Sequence, residues 1–558
     1  MANAFEIFFT TTPTQITAHL NSSTSEAVTL LQTKVPSCSV HFKFEYVTSL
    51  DIIKTFKSLN IKKTNDLWGI SVKLITNIID AISPYLAFIF NTCVDSGSFP
   101  DLMKYSKLIP LFKSGNKSDP SNYRPISILP SLSKIFEKII LCQLLAHFNF
   151  NKIFHTEQYG FTKGRSTSDA GVALLKHIYD AWENSQNAIG VFCDLSKAFD
   201  CVVHDTLLHK LNYYGIKGTD LALIASYLRN RIQQVAINGT KSSGSVLQMG
   251  VPQGSILGPF LFLIYINDLP FYVKGICDIV LFADDTSLIF KVDRKNGKYD
   301  DVNNALSLVQ NWFNSNNLVL NAKKTKCIEF SLPNVSKHNY NITLNNEILN
   351  ITDSTVFLGI TLDSKLQWKT HLSSLAGRLS SAVYAVRKIR QLTDIDTARL
   401  VYFSYFHSVM SYGILLWGNA TDIETIFILQ KRAIRSIYNL GARDSLRELF
   451  KKIDILTVAS QYVYVNIMYI YQNSNRFAKN IDKNGINTRN KNKLVTPSFR
   501  LHKVNMSFLG LGIRIYNKIP QKILQLPLSK FKTYVKKTLI NKAYYTVKDY
   551  MNDVNAWT

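Results

Sequence analysis

The sequence predicts an α+β fold. Three apolar segments of strand character, near 107–129, 188–194 and 278–290, stand between longer stretches of helical periodicity. The 558 residues suffice for roughly three to five domain-sized units. An apolar content of 46% supports sizeable cores and excludes global disorder. No fixed-period repeat runs through the chain, which excludes a solenoid.

Taken in order, residues 10–34 are rich in Ser and Thr without periodicity and read as a linker or ragged start. Leu50 to Phe90 turns helical, with Ile52, Ile53, Phe56 and Leu59 as apolar positions. Lys107 to Leu129 opens with the apolar LIPLF, passes through the polar KSGNKSDPSN and resumes at Tyr123-Arg124-Pro125-Ile126, a strand–loop–strand pattern. Residues 131–183 are mostly helical, with a break at Phe150–Ser166. Ala188 to Asp194 is an apolar strand that ends in an acid. Residues 205–238 read as two helices with Gly215 and Gly218 between them. Asp278 to Phe290 reads as a hairpin, with Asp284-Asp285 at its crest. Asp301 to Phe313 is a helix with Leu306 and Val309 on one face, and helical periodicity dominates 370–475. The remaining stretch is basic and mixed.

The net charge is +25 and the isoelectric point near 9.5. Such an excess repels itself unless a polyanion neutralises it, which points to nucleic acid first and an anionic membrane surface second. The seven cysteines (Cys38, Cys93, Cys142, Cys193, Cys201, Cys277 and Cys327) form no CxxC pair, and their number is odd. That argues against a disulfide framework and a paired-cysteine zinc knuckle, and for reduced intracellular thiols. No stretch reads as the ~18 apolar residues of a membrane helix. The densest run is Phe260 to Ile266, and Met1 does not open a signal peptide. We expect no membrane partner.

Three acids carry the chemistry. Asp194 closes an apolar strand, and Asp284 and Asp285 crown an apolar hairpin. Charge at such places is costly unless compensated. Each acid alone reads as a turn residue or helix cap. If the Asp194 strand pairs beside the hairpin, however, three carboxylates meet and raise one another's pKa unless cations bind. Carboxylate oxygens with water and phosphate suit Mg²⁺. Two such ions ~3.5–4 Å apart clamp the attacking and leaving oxygens of an in-line phosphoryl displacement.

The surrounding motifs run in order: LIPLFKSGNKSDPSNYRPISIL (108–129), QYGFTKGRST (158–167), VFCDLSKAFDCVVH (191–204), GVPQGSILGPFLFLIYINDLP (250–270), LFADDTSL (281–288), LNAKKTK (320–326) and FLGITLD (357–363). This series resembles that of reverse transcriptases, and among them the jockey-like polymerase region of LINE-type (non-LTR) retrotransposons. The resemblance implies a right-hand polymerase: fingers, a palm with a small antiparallel sheet, and a helical thumb, followed by a mostly helical C-terminal region. It implies RNA-directed DNA polymerase activity, extending a DNA primer end on an RNA template with deoxynucleoside triphosphates. The units expected are a linker or truncated N-terminus at 1–45, a helical N-terminal extension at 46–106, the reverse transcriptase domain at 94–362, a thumb-like region at 363–460 and a basic C-terminal region at 461–558.

The same resemblance assigns roles. Asp194, Asp284 and Asp285 would hold two Mg²⁺ ions, with Mn²⁺ as a substitute, assisted by the Leu195 carbonyl. Phe199 would be the steric gate under the sugar. Gln253 would line the nucleotide pocket, with Gly250 and Gly254 letting backbone approach the templating pair. Lys113 and Arg124 would grip the triphosphate, which suits a point charge and a guanidinium fork. Lys324 would protonate the leaving pyrophosphate. Gly164 and Arg165 would contact template, while Phe357, Leu358 and Gly359 would grip the primer. Phe282 departs from the family's tyrosine, which puts in doubt a polar contact made there. Structural readings compete at each of these: core packing for Phe199, a Gly/Pro turn for Gln253, and solvated charge for Lys113.

The family's N-terminal endonuclease has no room in this chain, so nicking is expected from a missing N-terminal part or in trans. The last 150 residues show no RNase H-like acidic series. Glu424 to Leu440 is an amphipathic helix candidate, and its basic face, like the stretch Arg489–Lys503, reads either as tracking phosphates or as solvated charge. The expected setting is intracellular, a cytoplasmic ribonucleoprotein with access to the nucleus. A truncated or degenerate copy that binds RNA without polymerising is the alternative. An RNA-dependent RNA polymerase would usually read Gly-Asp-Asp where this chain has Ala283-Asp284-Asp285.

Overall fold

The computed structural model describes residues 1–20, 22–59, 65–295, 299–335, 340–484 and 491–557. The fold is α+β, with mixed sheets and many helices. Its centre is a four-stranded antiparallel sheet, ordered Asp278–Phe282, Asp285–Asp293, Gln186–Cys193, Lys326–Phe330. Gln186–Cys193 is interior to the sheet and buried along most of its length, so it reads as a continuous apolar run. Gly190 leaves room for the Phe330 ring, which would stand 2.8 Å from a Cβ there. The helix Thr167–Glu183 packs against this sheet, and Trp182 Nε1 donates to Phe330 O at 3.0 Å.

A second sheet flanks the first. Tyr105–Phe112 pairs antiparallel with Tyr123–Ile128 and parallel with Ile232–Ile237. The Ile232–Ile237 strand corrects the reading of 205–238 as helices alone: helices His204–Tyr213 and Gly218–Leu228 are followed by a strand. Its alternating burial is the period of a half-covered strand.

The N-terminal segment is also corrected. Residues 10–34, expected as a linker, lie largely in helices Ala2–Thr17 and Thr24–Lys34. The Thr hydroxyls that favour loops bond back to carbonyls one turn earlier: Thr11 to Ile7, Thr12 to Phe8 and Thr17 to Pro13. Phe5 and Phe9 then bury against Leu108 and Val235. Tertiary burial outweighs weak propensity here.

The helix Val72–Ser96 is a further difference. By length and composition it could cross a membrane, which the sequence reading did not foresee. One face buries Ile75, Ile79, Leu86 and Phe90, while Leu74, Tyr85 and Phe88 are exposed.

Beyond residue 363 the chain is helical. Lys369–Leu392 packs on Ile423–Tyr438, and a π-helical turn, Tyr402–His407, lies between them in sequence. One core runs from Trp182, Ile289 and Phe330 through Leu379, Tyr402 and Ile434 to Tyr550 and Trp557. Two cations of the late basic stretch are engaged within the protein. Arg500 donates to Trp182 O at 2.8 Å, and its backbone N–H to Glu183 Oε2 at 2.7 Å. Lys503 Nζ donates to Lys365 O. Arg489 lies outside the described residues.

Candidate active site

The three acids come together at one end of the central sheet. The ladder between Gln186–Cys193 and Asp285–Asp293 ends at Cys193 and Thr286, so Asp194 is the next residue out, beside Asp285. The hairpin closes at Phe282 and Asp285 with a two-residue loop, Ala283-Asp284. Ala283 takes φ +58°, a left-handed conformation that strains any residue with a Cβ. A regular strand would send adjacent acids to opposite faces, and the turn lifts that restriction.

Electrostatics record the crowding. Burial and the Asp194 carboxylate push Asp284 upward, while its own backbone N–H and the Arg124 guanidinium pull the other way. Burial first, then Asp284 and Asp194, push Asp285 up to about 6. Arg124, exposed on the Tyr123–Ile128 strand of the second sheet, is thus the cation whose charge is felt at Asp284. The donor set is all carboxylate oxygen, the chemistry of a hard divalent cation. Among the described residues no group of three or more His, Cys, Asp or Glu side chains is placed to hold a metal ion by itself. Mg²⁺ commonly completes its shell with water and substrate phosphate rather than with protein alone.

Asp194 is held at both backbone groups. Its N–H donates to Thr325 Oγ1 at 3.2 Å, and its carbonyl accepts from Asn321 N at 2.9 Å. Leu195 bridges to Leu320. Exposed Lys324 sits on this same 321–325 turn, its N–H capped by Asn321 Oδ1 at 3.1 Å.

Phe199 lies five residues beyond Asp194, half-buried between Phe262 and Phe161. Gln253 Nε2 donates to Asp200 Oδ1 at 2.9 Å. Burial raises the Asp200 carboxyl, with Gln253 and Lys197 opposing. Protein backbone fills the space where a side chain would stand at both glycines of this loop. A Cβ on Gly250 would stand 2.7 Å from Asp200 O, and one on Gly254 2.6 Å from Ser127 O. The loop is thus held between the Ala198–Asp200 turn and the Tyr123–Ile128 strand, and buried Glu137 fixes its end by accepting from Ile256 N at 2.7 Å.

The pocket at Gln253 is lined by Asp200, Pro125, Met249 and Gly250, and also by Phe9 and Pro13 of the N-terminal helix. That helix further places Phe8 under Lys197 Nζ, 4.5 Å from the ring centroid.

The other expected residues are dispersed. Lys113 is exposed at the start of the 113–122 loop. Gly164 has φ +80° and open space around it. The Arg165 guanidinium lies over the Tyr159 ring at 4.8 Å and bonds Thr156 O. Ser166 caps the next helix in a capping box with Asp169. Phe357, Leu358 and Gly359 form a tight hairpin turn, with Leu358 at φ +46° and Gly359 at +79°. Tyr412 Oη, from the helical region, donates to Leu358 O at 2.6 Å. Sequence reasoning missed Asp200, Gln158 and Tyr412. The first two lie inside quoted motifs, and Tyr412 carries no local signal.

Comparison with known proteins agrees with this geometry. Residues 114–362 match the family described as reverse transcriptase (RNA-dependent DNA polymerase). The chain is 30% identical over 429 residues to a probable RNA-directed DNA polymerase from transposon BS of Drosophila melanogaster, covering 74% of this chain and 47% of that protein. It is 29% identical over 419 residues to the RNA-directed DNA polymerase from mobile element jockey of the same fly, covering 72% and 45%. A polyprotein of the type-1 retrotransposable element R1 of Bradysia coprophila is 24% identical over 397 residues, covering 69% and 38%. The chain thus spans about half the length, or less, of the curated relatives it matches. Residues 114–362 thus match the reverse transcriptase family, and the chain around them is similar to part of the RNA-directed DNA polymerases of the mobile elements BS and jockey.

Proposed function

We propose that the chain extends a DNA 3′ end on an RNA template, using deoxynucleoside triphosphates and two Mg²⁺ ions, with Mn²⁺ as a substitute. The observation that carries this reading is the meeting of Asp194 with the Ala283-Asp284-Asp285 turn, where the strand pairing sets Asp194 beside Asp285 at the end of the sheet. The central sheet is then the palm, the Tyr105–Ile128 hairpin the fingers, and the helices of 363–460 the thumb, with 461–558 a separate basic region.

Bound divalent cations would neutralise the triphosphate and lower the pKa of the primer 3′-hydroxyl. Asp194 and Asp284 hold the charge that receives them, and Asp285 completes the oxygen set. Arg124 approaches from the fingers side to orient phosphate oxygens. Phe199 supplies a wall beneath the sugar, and Gln253, fixed by Asp200, borders the nucleotide pocket. Lys324, on the turn that holds Asp194, lies where a proton for the leaving pyrophosphate is needed. The Phe357–Gly359 turn, tied to Tyr412, meets the primer end, and Gly164-Arg165 lies toward the template. We place the protein inside the cell, in a cytoplasmic ribonucleoprotein with access to the nucleus, and assign nicking of the target to a polypeptide segment outside this chain.

Primer extension on an RNA template with the four deoxynucleotides and Mg²⁺ tests the reading. Extension by the wild-type chain, and none by Asp284→Asn, is expected. Absence of extension by a folded wild-type chain overturns it.

A further inference from the structure

A third segment closes onto the turn that carries Asp284 and Asp285. Leu281 N donates to Glu157 O at 2.9 Å, and Tyr159 N donates to Leu281 O at 2.8 Å. Residues 157–159 thereby run parallel to the outer strand of the hairpin and cover its edge. At the centre of this segment Gln158 is only 4% exposed. Its Oε1 accepts from Ala283 N at 3.1 Å and from Gly160 N at 2.8 Å. Both partners are N–H donors, which fixes the amide with its oxygen toward them. Gly160 completes the contact, because a Cβ there would stand 2.3 Å from Ala283 N.

Two features separate this contact from ordinary packing. Ala283 holds a left-handed φ that its methyl group disfavours, so its backbone needs an outside partner to stay there. Gln158 Nε2 is buried with no hydrogen-bond partner among the described residues. A bare buried donor is costly, and an apolar side chain of similar volume would avoid that cost. The acceptor oxygen is what accounts for a glutamine here.

We propose that Gln158 is a positioning residue for polymerisation: by holding the Ala283 N–H it keeps the strained turn in the one conformation that aims Asp284 at Asp194. Asp284 directly follows Ala283, so rotation at Ala283 swings its carboxylate. The proposal rests on the polymerase reading above.

Gln158→Met keeps length and volume but removes the acceptor, whereas Gln158→Glu keeps an acceptor oxygen. Hydrogen–deuterium exchange across the 279–290 hairpin reads the contact without catalysis. Exchange at the Ala283 amide should be several-fold faster in the Met variant and near wild type in the Glu variant. Primer extension should show kcat reduced about a hundredfold in the Met variant, the scale of a ~1 Å misplacement. Half-saturation by Mg²⁺ should move upward, with KM for deoxynucleotide and binding of primer–template unchanged. The Glu variant should recover much of the rate.

Unaltered Ala283 exchange in the Met variant overturns the proposal. So does faster exchange with unaltered kcat and Mg²⁺ response. If the Met variant melts early, the Glu variant decides: a protected amide with kcat still lost overturns the proposal, and a protected amide with kcat retained supports it. Failure of the polymerase reading is separate, because it appears in the wild-type chain before any substitution.

Discussion

Phe199 lies almost flat on Phe262, ring centroids 4.3 Å apart at 23°, while Phe161 meets it edge-on at 6.4 Å. A ring braced on both sides cannot yield to an added oxygen. If it lies under the sugar, a ribose hydroxyl clashes instead of finding a void. Phe199→Val should raise the efficiency of GTP relative to dGTP by about an order of magnitude, since a merely tolerant pocket discriminates only ~10²-fold. Loss of the stack should also cost about 1 kcal/mol of stability. Extension kinetics with both nucleotides, alongside thermal melting, separate the two effects. An unchanged ratio in a folded variant would remove Phe199 from the site.

Asp194→Asn and Asp284→Asn should each reduce extension on the order of a thousandfold or more, about 4 kcal/mol in the barrier. RNA binding should persist, because the basic surface is untouched. Filter binding and extension on the same preparations check this, and near-normal extension by either variant contradicts the metal-holding assignment.

Template binding should weaken steeply with salt. The net charge of +25 implies release of several counterions on association. Titrations from low to physiological salt should give a clearly negative slope of log affinity against log salt. A flat line would show that the charge serves another purpose.

How much of this was legible beforehand depended on where each residue finds its partner. Asp194 and the Asp284-Asp285 hairpin could be read because acids interrupt apolar runs, a local signal, and the two strands do pair side by side. Gln158 could not be read in the same way, since its partner Ala283 lies 125 residues on. Asp200 and Gln253 meet across 53 residues. The N-terminal helix was hidden by its threonines, whose hydroxyls are satisfied only once the helix exists. Arg500 looked like a free cation, yet it serves Trp182 and Glu183 more than 300 residues earlier.

A buried ion pair offers a test of the scaffold. Lys210 Nζ meets Asp268 Oδ1 at 2.6 Å with both side chains almost wholly buried, and Trp312 Nε1 donates to Asp268 Oδ2 at 2.8 Å. Burial lowers the Lys210 pKa, and Asp268 opposes the shift. Lys210→Met alone should cost about 3–5 kcal/mol, because it strands a carboxylate in the core. Lys210→Met with Asp268→Asn should recover part of that loss. Urea denaturation of the three chains checks both statements.

Asp278 gives a pH signature. Burial alone would raise its carboxyl, but hydrogen bonds from His177 and Lys291 outweigh it and hold it at about 2. A folded pKa below the unfolded value means stability that is present above the unfolded value of about 3.9 and lost as pH falls toward the folded one. Wild type should therefore exceed Asp278→Asn in stability at pH 5. The margin should shrink as pH drops from about 4 toward 2. A margin independent of pH down to 3 would show that Asp278 is not held by charge.

The family match ends at residue 362, yet the core does not. Gly171, in the matched part, is placed so close to Leu416 that a methyl group there would stand 2.4 Å from its Cδ1. The stretch that is recognised as a domain and the stretch that folds are different lengths of chain. A stop codon or recombination junction just after Asp363 would leave Trp182, Ile289 and Phe330 facing water, and such surfaces aggregate. A chain broken at that point would keep Asp194, Asp284 and Asp285 and still lose the core that their sheet rests on.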